Sequence, residues 1–348
     1  MVLLACVAVI VLAGLLLLNS KIKNGRTIFI ITAATILFLY SALRSQDFTG
    51  DVLAYTRYFN RYANYSFKQM LKMYTDGSKD PTFYLLGWLF SRIFPSAQLW
   101  LAFIALIYVG AVAKIIFTES KNPFLSFIMI VSLEYFFFSL TGLRQAIAMA
   151  ITMLAYYMIK KRKPIKFVLI VLLASLFHMS AIVFLIIYPL ARVKFGFVQV
   201  IIAAVATVLF FFGQRYIRGF LGMMFEEGQY SGYANDEITL TLTGFLIEAV
   251  IFAFTVFYYK KVVAKNPDAV ILYNCIFIGL LFRMFASMIG IFFRLSIYFA
   301  VFGVLLVPLA IDAEENPRLK AFEMVEVPVV FIAYMFVKDL PAYKLFFM

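Results

Sequence analysis

The sequence predicts an all-α polytopic integral membrane protein with about 10–12 transmembrane or re-entrant helices, and three observations predict it. Of the 348 residues, 64% are hydrophobic and 14% charged, against roughly 45–50% and about a quarter in a soluble domain. Apolar runs of about 17–25 residues recur, each long enough as a helix to cross the hydrocarbon core. The cations collect in short turns between those runs, the pattern of cytoplasmic loops. A β-barrel is excluded, because its strands alternate apolar and polar residues over about ten positions.

Taken in order, apolar segments lie near 2–19, 27–43, 81–95, 99–117, 123–140, 143–159, 166–190, 197–213, 241–259, 269–292, 295–311 and 322–337. The first lacks the basic start and small-residue cleavage site of a signal peptide and reads as a retained span. Cys6 and Cys275 fall inside apolar runs, so neither a disulfide framework nor metal-ligand spacing is expected. There is no internal repeat, heptad or low-complexity tract, which gives one membrane domain over 1–348 with outer loops near 44–80 and 214–240. The first loop interleaves aromatics with charge, suiting sugar rings and phosphates. The second is acidic and glycine-rich, as in a lid.

Orientation follows from three basic turns: Lys21, Lys23 and Arg26; Lys160 to Lys163 with Lys166; and Lys260, Lys261 and Lys265. All three are assigned to the cytoplasm. Two cytoplasmic turns must be separated by an even number of spans, yet five segments lie between the first pair and three between the second. One segment in each interval is therefore expected to be re-entrant or interfacial. The proline-flanked 81–95 segment is the first candidate; 166–190, broken near His178 and Ser180, or 197–213 is the second. Topology and anionic lipid account for the net charge of +13, with no nucleic-acid partner.

Ionisable side chains inside apolar runs are costly and mark candidate sites. His178 is the only histidine and the first candidate for acid–base chemistry near neutral pH. Arg144 opens the 143–159 segment at its outer end. Arg44, Arg283 and Arg294 are also expected in the outer half of the membrane, where guanidinium groups grip phosphate bidentately. The alternative for each is an interfacial anchor that snorkels, and for His178 a helix–helix hydrogen bond. Glu134 reads as an arginine partner or a substrate contact. Arg44, Asp47, Asp51 and Tyr55 follow i, i+3, i+7, i+11 and share a face if helical. Tyr298 follows Arg294 by one turn. A lone histidine makes no zinc site, so no metal or cofactor is expected.

In order, these pieces resemble the EpsG-type branch of the Wzy-like polysaccharide polymerases. They are Arg44, Asp47, Asp51 and Tyr55; Leu143-Arg144-Gln145-Ala146-Ile147-Ala148; Phe177-His178-Met179-Ser180-Ala181; Arg294-Leu295-Ser296-Ile297-Tyr298-Phe299; and Pro341-Ala342-Tyr343. The resemblance covers nearly the whole chain. It implies a GT-C-like membrane glycosyltransferase of the bacterial cytoplasmic (inner) membrane, making exopolysaccharide, capsule or O-antigen. Such an enzyme joins undecaprenyl-diphosphate-linked oligosaccharide repeat units on the outer face, without a metal, beside a chain-length regulator and a flippase. By the same resemblance Arg144 and Arg294 bind diphosphate and His178 is the base. Arg44 and Asp47 shape the outer mouth. Read from the residues themselves, Tyr55, Gln145 and Arg283 are expected as further substrate contacts. The family's acidic position in the first outer motif follows a glycine, and both Asp47 and Asp51 remain candidates for it.

Two other readings stand beside this one. A membrane O-acyltransferase also carries one important histidine, but it needs an Asn or Asp partner, and none lies near His178 in the sequence. A lipid-linked sugar transporter is expected to have discontinuous helices in related halves, and no repeat is visible.

Overall fold

The computed structural model describes residues 2–18, 22–213, 216, 242–287, 290–337 and 342–347. The 214–240 loop, apart from Tyr216, lies outside the described residues, as does Pro341. Of the described residues 81% are helical, and none of them lies in a strand. In order, the helices are α1 (Val2–Leu18), α2 (Gly25–Ala42), α3 (Gly50–Tyr62), α4 (Phe67–Thr75), α5 (Pro81–Ser91), α6 (Ala97–Glu119), α7 (Pro123–Ser132), α8 (Tyr135–Thr141), α9 (Leu143–Lys160) and α10 (Pro164–Phe177). A 3-10 helix, Met179–Ile186, then leads to α11 (Ile187–Leu190), α12 (Phe197–Phe212), α13 (Thr243–Phe257), α14 (Tyr259–Lys265), α15 (Ala269–Phe285), α16 (Gly290–Ala300), α17 (Gly303–Ala313) and α18 (Pro317–Val337).

Local chemistry explains where these helices start and stop. Ser96 and Asn122 accept the Leu99 and Leu125 amides at the starts of α6 and α7, and Ser66 with Gln69 forms a capping box on α4. Pro81, Pro123 and Pro164 sit in first turns, where the missing N–H costs nothing. Several apolar runs are broken. Glu134 takes a φ of 70° between α7 and α8, which bend by 53°. α16 and α17 bend by 45°. His178, extended at φ −156° and ψ 113°, ends α10. The 166–190 run does break at His178, as its polar residues suggest.

Among the described residues, two helices are long and apolar enough to cross a membrane, α2 and α6, or up to four if each bent pair is one span. Six shorter apolar helices accompany them. Large apolar side chains stand exposed on several, such as Leu12, Leu15 and Leu16 on α1 and Leu169, Leu172, Leu173 and Leu176 on α10. Contiguous apolar surface of this kind belongs against lipid, and the chain is a membrane protein. α5 has 11 residues, about 16 Å at helical rise and half of the hydrocarbon thickness. At that length α5 falls short of a span.

The chain divides into two compact units, one of Met1–Ile182 with Arg318–Met348 and one of Val183–Pro317. In the first, the C-terminal segment returns to the end of α2. Arg44 forms an isolated antiparallel bridge with Leu345, the Phe346 amide donates to the Leu43 carbonyl, and Tyr343 stacks on Tyr40 at 4.2 Å. In the second unit α15 and α16 pack closely, because Gly279 has no side chain. A Cβ there would lie 2.8 Å from the Ala300 nitrogen and 3.1 Å from its Cα. Gly279→Val is expected to cost about 1–3 kcal/mol by overpacking, read as a lower melting temperature in detergent.

Candidate active site

Four elements of the first unit converge: α3, the start of α5, the start of α9 and the end of α10. Beneath them is a core of Val52, Phe59, Phe83, Trp100, Leu143 and Ile147, with Tyr55, Tyr84 and Phe177 packed against it. Leu143 and Phe177 are the direct neighbours of Arg144 and His178, so each polar side chain springs from an anchored backbone. Such anchoring holds functional groups to a fixed geometry.

The centre of the cluster is Asp80, the residue before α5. Its Oδ2 lies 2.9 Å from Nδ1 of His178 and pairs with Nη1 of Arg144 at 3.1 Å. Its Oδ1 accepts the Met179 amide at 3.3 Å. Arg144 also donates from Nε to the Tyr55 hydroxyl at 3.1 Å and lies over that ring. The Asp80 side chain is 4% exposed, that of His178 8% and that of Arg144 16%. The arginine is thus the member most open to a ligand. Burial alone raises the Asp80 carboxyl. The hydrogen bond and charge of His178, the charge of Arg144 and the Met179 amide outweigh it, leaving the group below its ordinary value. Tyr55 and Tyr84 stand beside Arg144, and Tyr84 continues into ring contacts of 5.3–5.7 Å with Tyr58 and Tyr62.

Sequence reasoning reached Arg144, His178 and Tyr55 but missed Asp80. Asp80-Pro81 reads as an ordinary helix start. The aspartate in fact sits at φ 51° with no capping bond to its own helix, so its carboxylate is available to α9 and α10. The four-residue face expected from Arg44 to Tyr55 is corrected: α3 begins at Gly50 behind the Thr49 cap, so only Asp51 and Tyr55 lie on it.

The remaining expected residues lie elsewhere. Arg44 is 1% exposed, donates to the Ser41 carbonyl, and has no hydrogen-bond partner for Nε among the described residues. Burial pushes its pKa down to about 10, so it keeps its charge at neutral pH. Asp47 pairs with the Ser45 hydroxyl, not with Arg44. Asp51 is exposed in the first turn of α3, Gln145 is buried in α9, and Glu134 is the hinge between α7 and α8. In the second unit Arg283 pairs with Glu248 at 3.7 Å and lies over Phe293, and Tyr298 is buried in α16 with Arg294 one turn before it. Among the described residues no three His, Cys, Asp or Glu side chains assemble into a metal-ligand set.

The sequence model of the EpsG family matches residues 27–347. The chain belongs to the EpsG family. This is a Wzy-like polysaccharide polymerase family, so the chain is a membrane protein of polysaccharide biosynthesis, with a lipid-linked oligosaccharide as its general class of substrate. No curated protein and no solved structure matches it. The match runs from α2 through the C-terminal segment and so includes Asp80, Arg144 and His178 of this EpsG-family chain. Asp80 supplies the carboxylate partner that an O-acyltransferase needs and that the neighbours of His178 in sequence lack, so the missing partner no longer counts against that reading.

The Asp80 contacts predict a pH dependence for the EpsG-family protein. A carboxyl held below its unfolded-chain value of about 3.9 stabilises the fold fully above that value. The contribution is lost as pH falls through the lower folded value. The melting difference between wild type and Asp80→Asn is expected to persist from neutral pH down to about 5. It should shrink toward zero below about 4.

Proposed function

We propose that this protein polymerises undecaprenyl-diphosphate-linked oligosaccharide repeat units into exported polysaccharide. The site faces the exterior of the bacterial cytoplasmic membrane, within a GT-C-like architecture, and the glycosyl transfer needs no metal. The observation that carries the reading is that the guanidinium of Arg144 and the imidazole of His178 meet on one carboxylate. A base and a fixed cation at one place are what transfer from a lipid diphosphate requires.

In this reading a sugar hydroxyl of the acceptor gives its proton to His178 as its oxygen bonds the anomeric carbon of the donor. The anomeric carbon–oxygen bond to diphosphate breaks, and the electron pair leaves with the diphosphate. Arg144 balances the charge that develops there. It is already ordered by Asp80 and Tyr55, so little reorganisation accompanies the step. The tyrosines beside Arg144 offer ring faces to sugars. A flippase supplies the donor and a chain-length regulator sets its end point.

The Asp80–His178 pair favours a second reading, an O-acyltransferase acting on surface glycans; family membership weighs against it. Expression in a polymerase-deficient strain separates the two. The polymerase reading expects surface glycan longer than one repeat unit with unchanged acyl content. Single-unit glycan with added acyl groups would replace it with the second reading.

A further inference from the structure

We infer that Asp80 is a positioning residue that fixes His178 in the tautomer protonated on Nδ1, so that Nε2 is the nitrogen that takes the acceptor's proton. This rests on the polymerase reading for the identity of the reaction, though the tautomer itself does not depend on it.

The inference follows from donors and acceptors. Asp80 presents Oδ2 to both Nδ1 of His178 and Nη1 of Arg144, and Oδ1 to the Met179 amide. With a guanidinium at 3.1 Å, the carboxylate is ionised and offers acceptors only. The 2.9 Å contact is then a hydrogen bond only if Nδ1 carries the proton. In a neutral imidazole the lone pair is then left on Nε2. The same carboxylate favours the imidazolium formed when Nε2 takes a proton, because the charge it faces grows more positive. An aspartate hydrogen-bonded to the far nitrogen orients the base and stabilises its charged form without itself exchanging the proton.

The backbone reinforces the assignment. Asp80 stands at φ 51° and ψ 52° directly before Pro81, a conformation that Asp and Asn tolerate and most side chains do not. His178 is extended where α10 gives way to the 3-10 helix. The Met179 amide at Oδ1 joins that break to Asp80, so the carboxylate sets both the ring's tautomer and the path of the chain that carries it.

Asp80→Asn is the informative variant, because it keeps the backbone conformation and the side-chain size while removing the charge and one acceptor. The chain has a single histidine, so 15N-histidine labelling of the full-length protein, purified on a tag without histidine, reports His178 alone. The expected wild-type spectrum is the Nδ1–H tautomer. Asp80→Asn is expected to move it toward Nε2–H, because the new amide can donate to Nδ1. With a lipid-diphosphate-linked oligosaccharide repeat unit as the probe, kcat should fall about 10²–10⁴-fold, while KM stays within a few-fold. Asp80→Glu should recover part of the rate. An Nε2–H tautomer in wild type would overturn the inference. So would a spectrum unchanged in Asp80→Asn, whatever the rate, or a shifted spectrum with a wild-type rate. If wild type makes no polymer from the probe, the polymerase reading fails instead, and the spectra still decide the tautomer.

Discussion

Arg144→Ala is expected to stop chain growth, with a loss of at least about 10²–10³-fold, the range for removing one preorganised donor from a developing negative charge. The variant also leaves Asp80 buried with only His178 and the Met179 amide as partners. Breaking a fully buried ion pair costs about 3–5 kcal/mol. The cost here should be smaller, because the Arg144 side chain is 16% exposed and His178 remains. The two effects separate in a double-mutant cycle. Arg144→Ala with Asp80→Asn should regain most of the lost melting temperature, since no uncompensated charge is left, yet make no polymer. Arg144→Lys keeps the charge but not the planar fork that reaches both Asp80 and Tyr55, and a loss of at least about tenfold is expected. Surface-glycan length and melting temperature check the series. Full-length polymer from Arg144→Ala would remove the arginine from the mechanism.

His178→Asn is expected to lose about 10²–10⁴-fold in rate, the usual contribution of a general base, with stability changed by less than about 1 kcal/mol. The asparagine amide reaches roughly the position of Nδ1 and still donates to Oδ2 of Asp80, so the bond that closes the cluster survives. Nothing replaces the second ring nitrogen. His178→Ala lacks that bond too and should be both inactive and less stable. The difference between the variants measures the structural share of the Asp80 contact. Equal stability and wild-type polymer in both would mean that the histidine serves neither role.

Much of the helical framework was legible because it rests on local chemistry. Apolar runs give α2 and α6. The polarity of His178 inside a run marks the end of α10. Arg144 and His178 were also legible, since charge and polarity among apolar neighbours stand out. Their meeting place was not. Asp80 lies 98 residues from His178, and a contact that long-range leaves no mark in local pattern. Its position before a proline gave it a sufficient ordinary explanation. Glu248 stands out in its apolar run as Arg144 does, but its pairing with Arg283 leaves no mark in local pattern. The face assigned to Arg44, Asp47, Asp51 and Tyr55 failed because periodicity says which residues align within a helix and not where the helix starts. Thr49 sets that start.

In the polymerase reading this site breaks a sugar–diphosphate bond as the glycan lengthens. The most direct measurement is on protein reconstituted into lipid vesicles with a lipid-diphosphate-linked repeat unit, following lipid diphosphate release and glycan length together. One lipid diphosphate is expected to be released for each linkage formed, and neither event is expected with His178→Asn. Release without lengthening, or lengthening that persists in that variant, would contradict that reading.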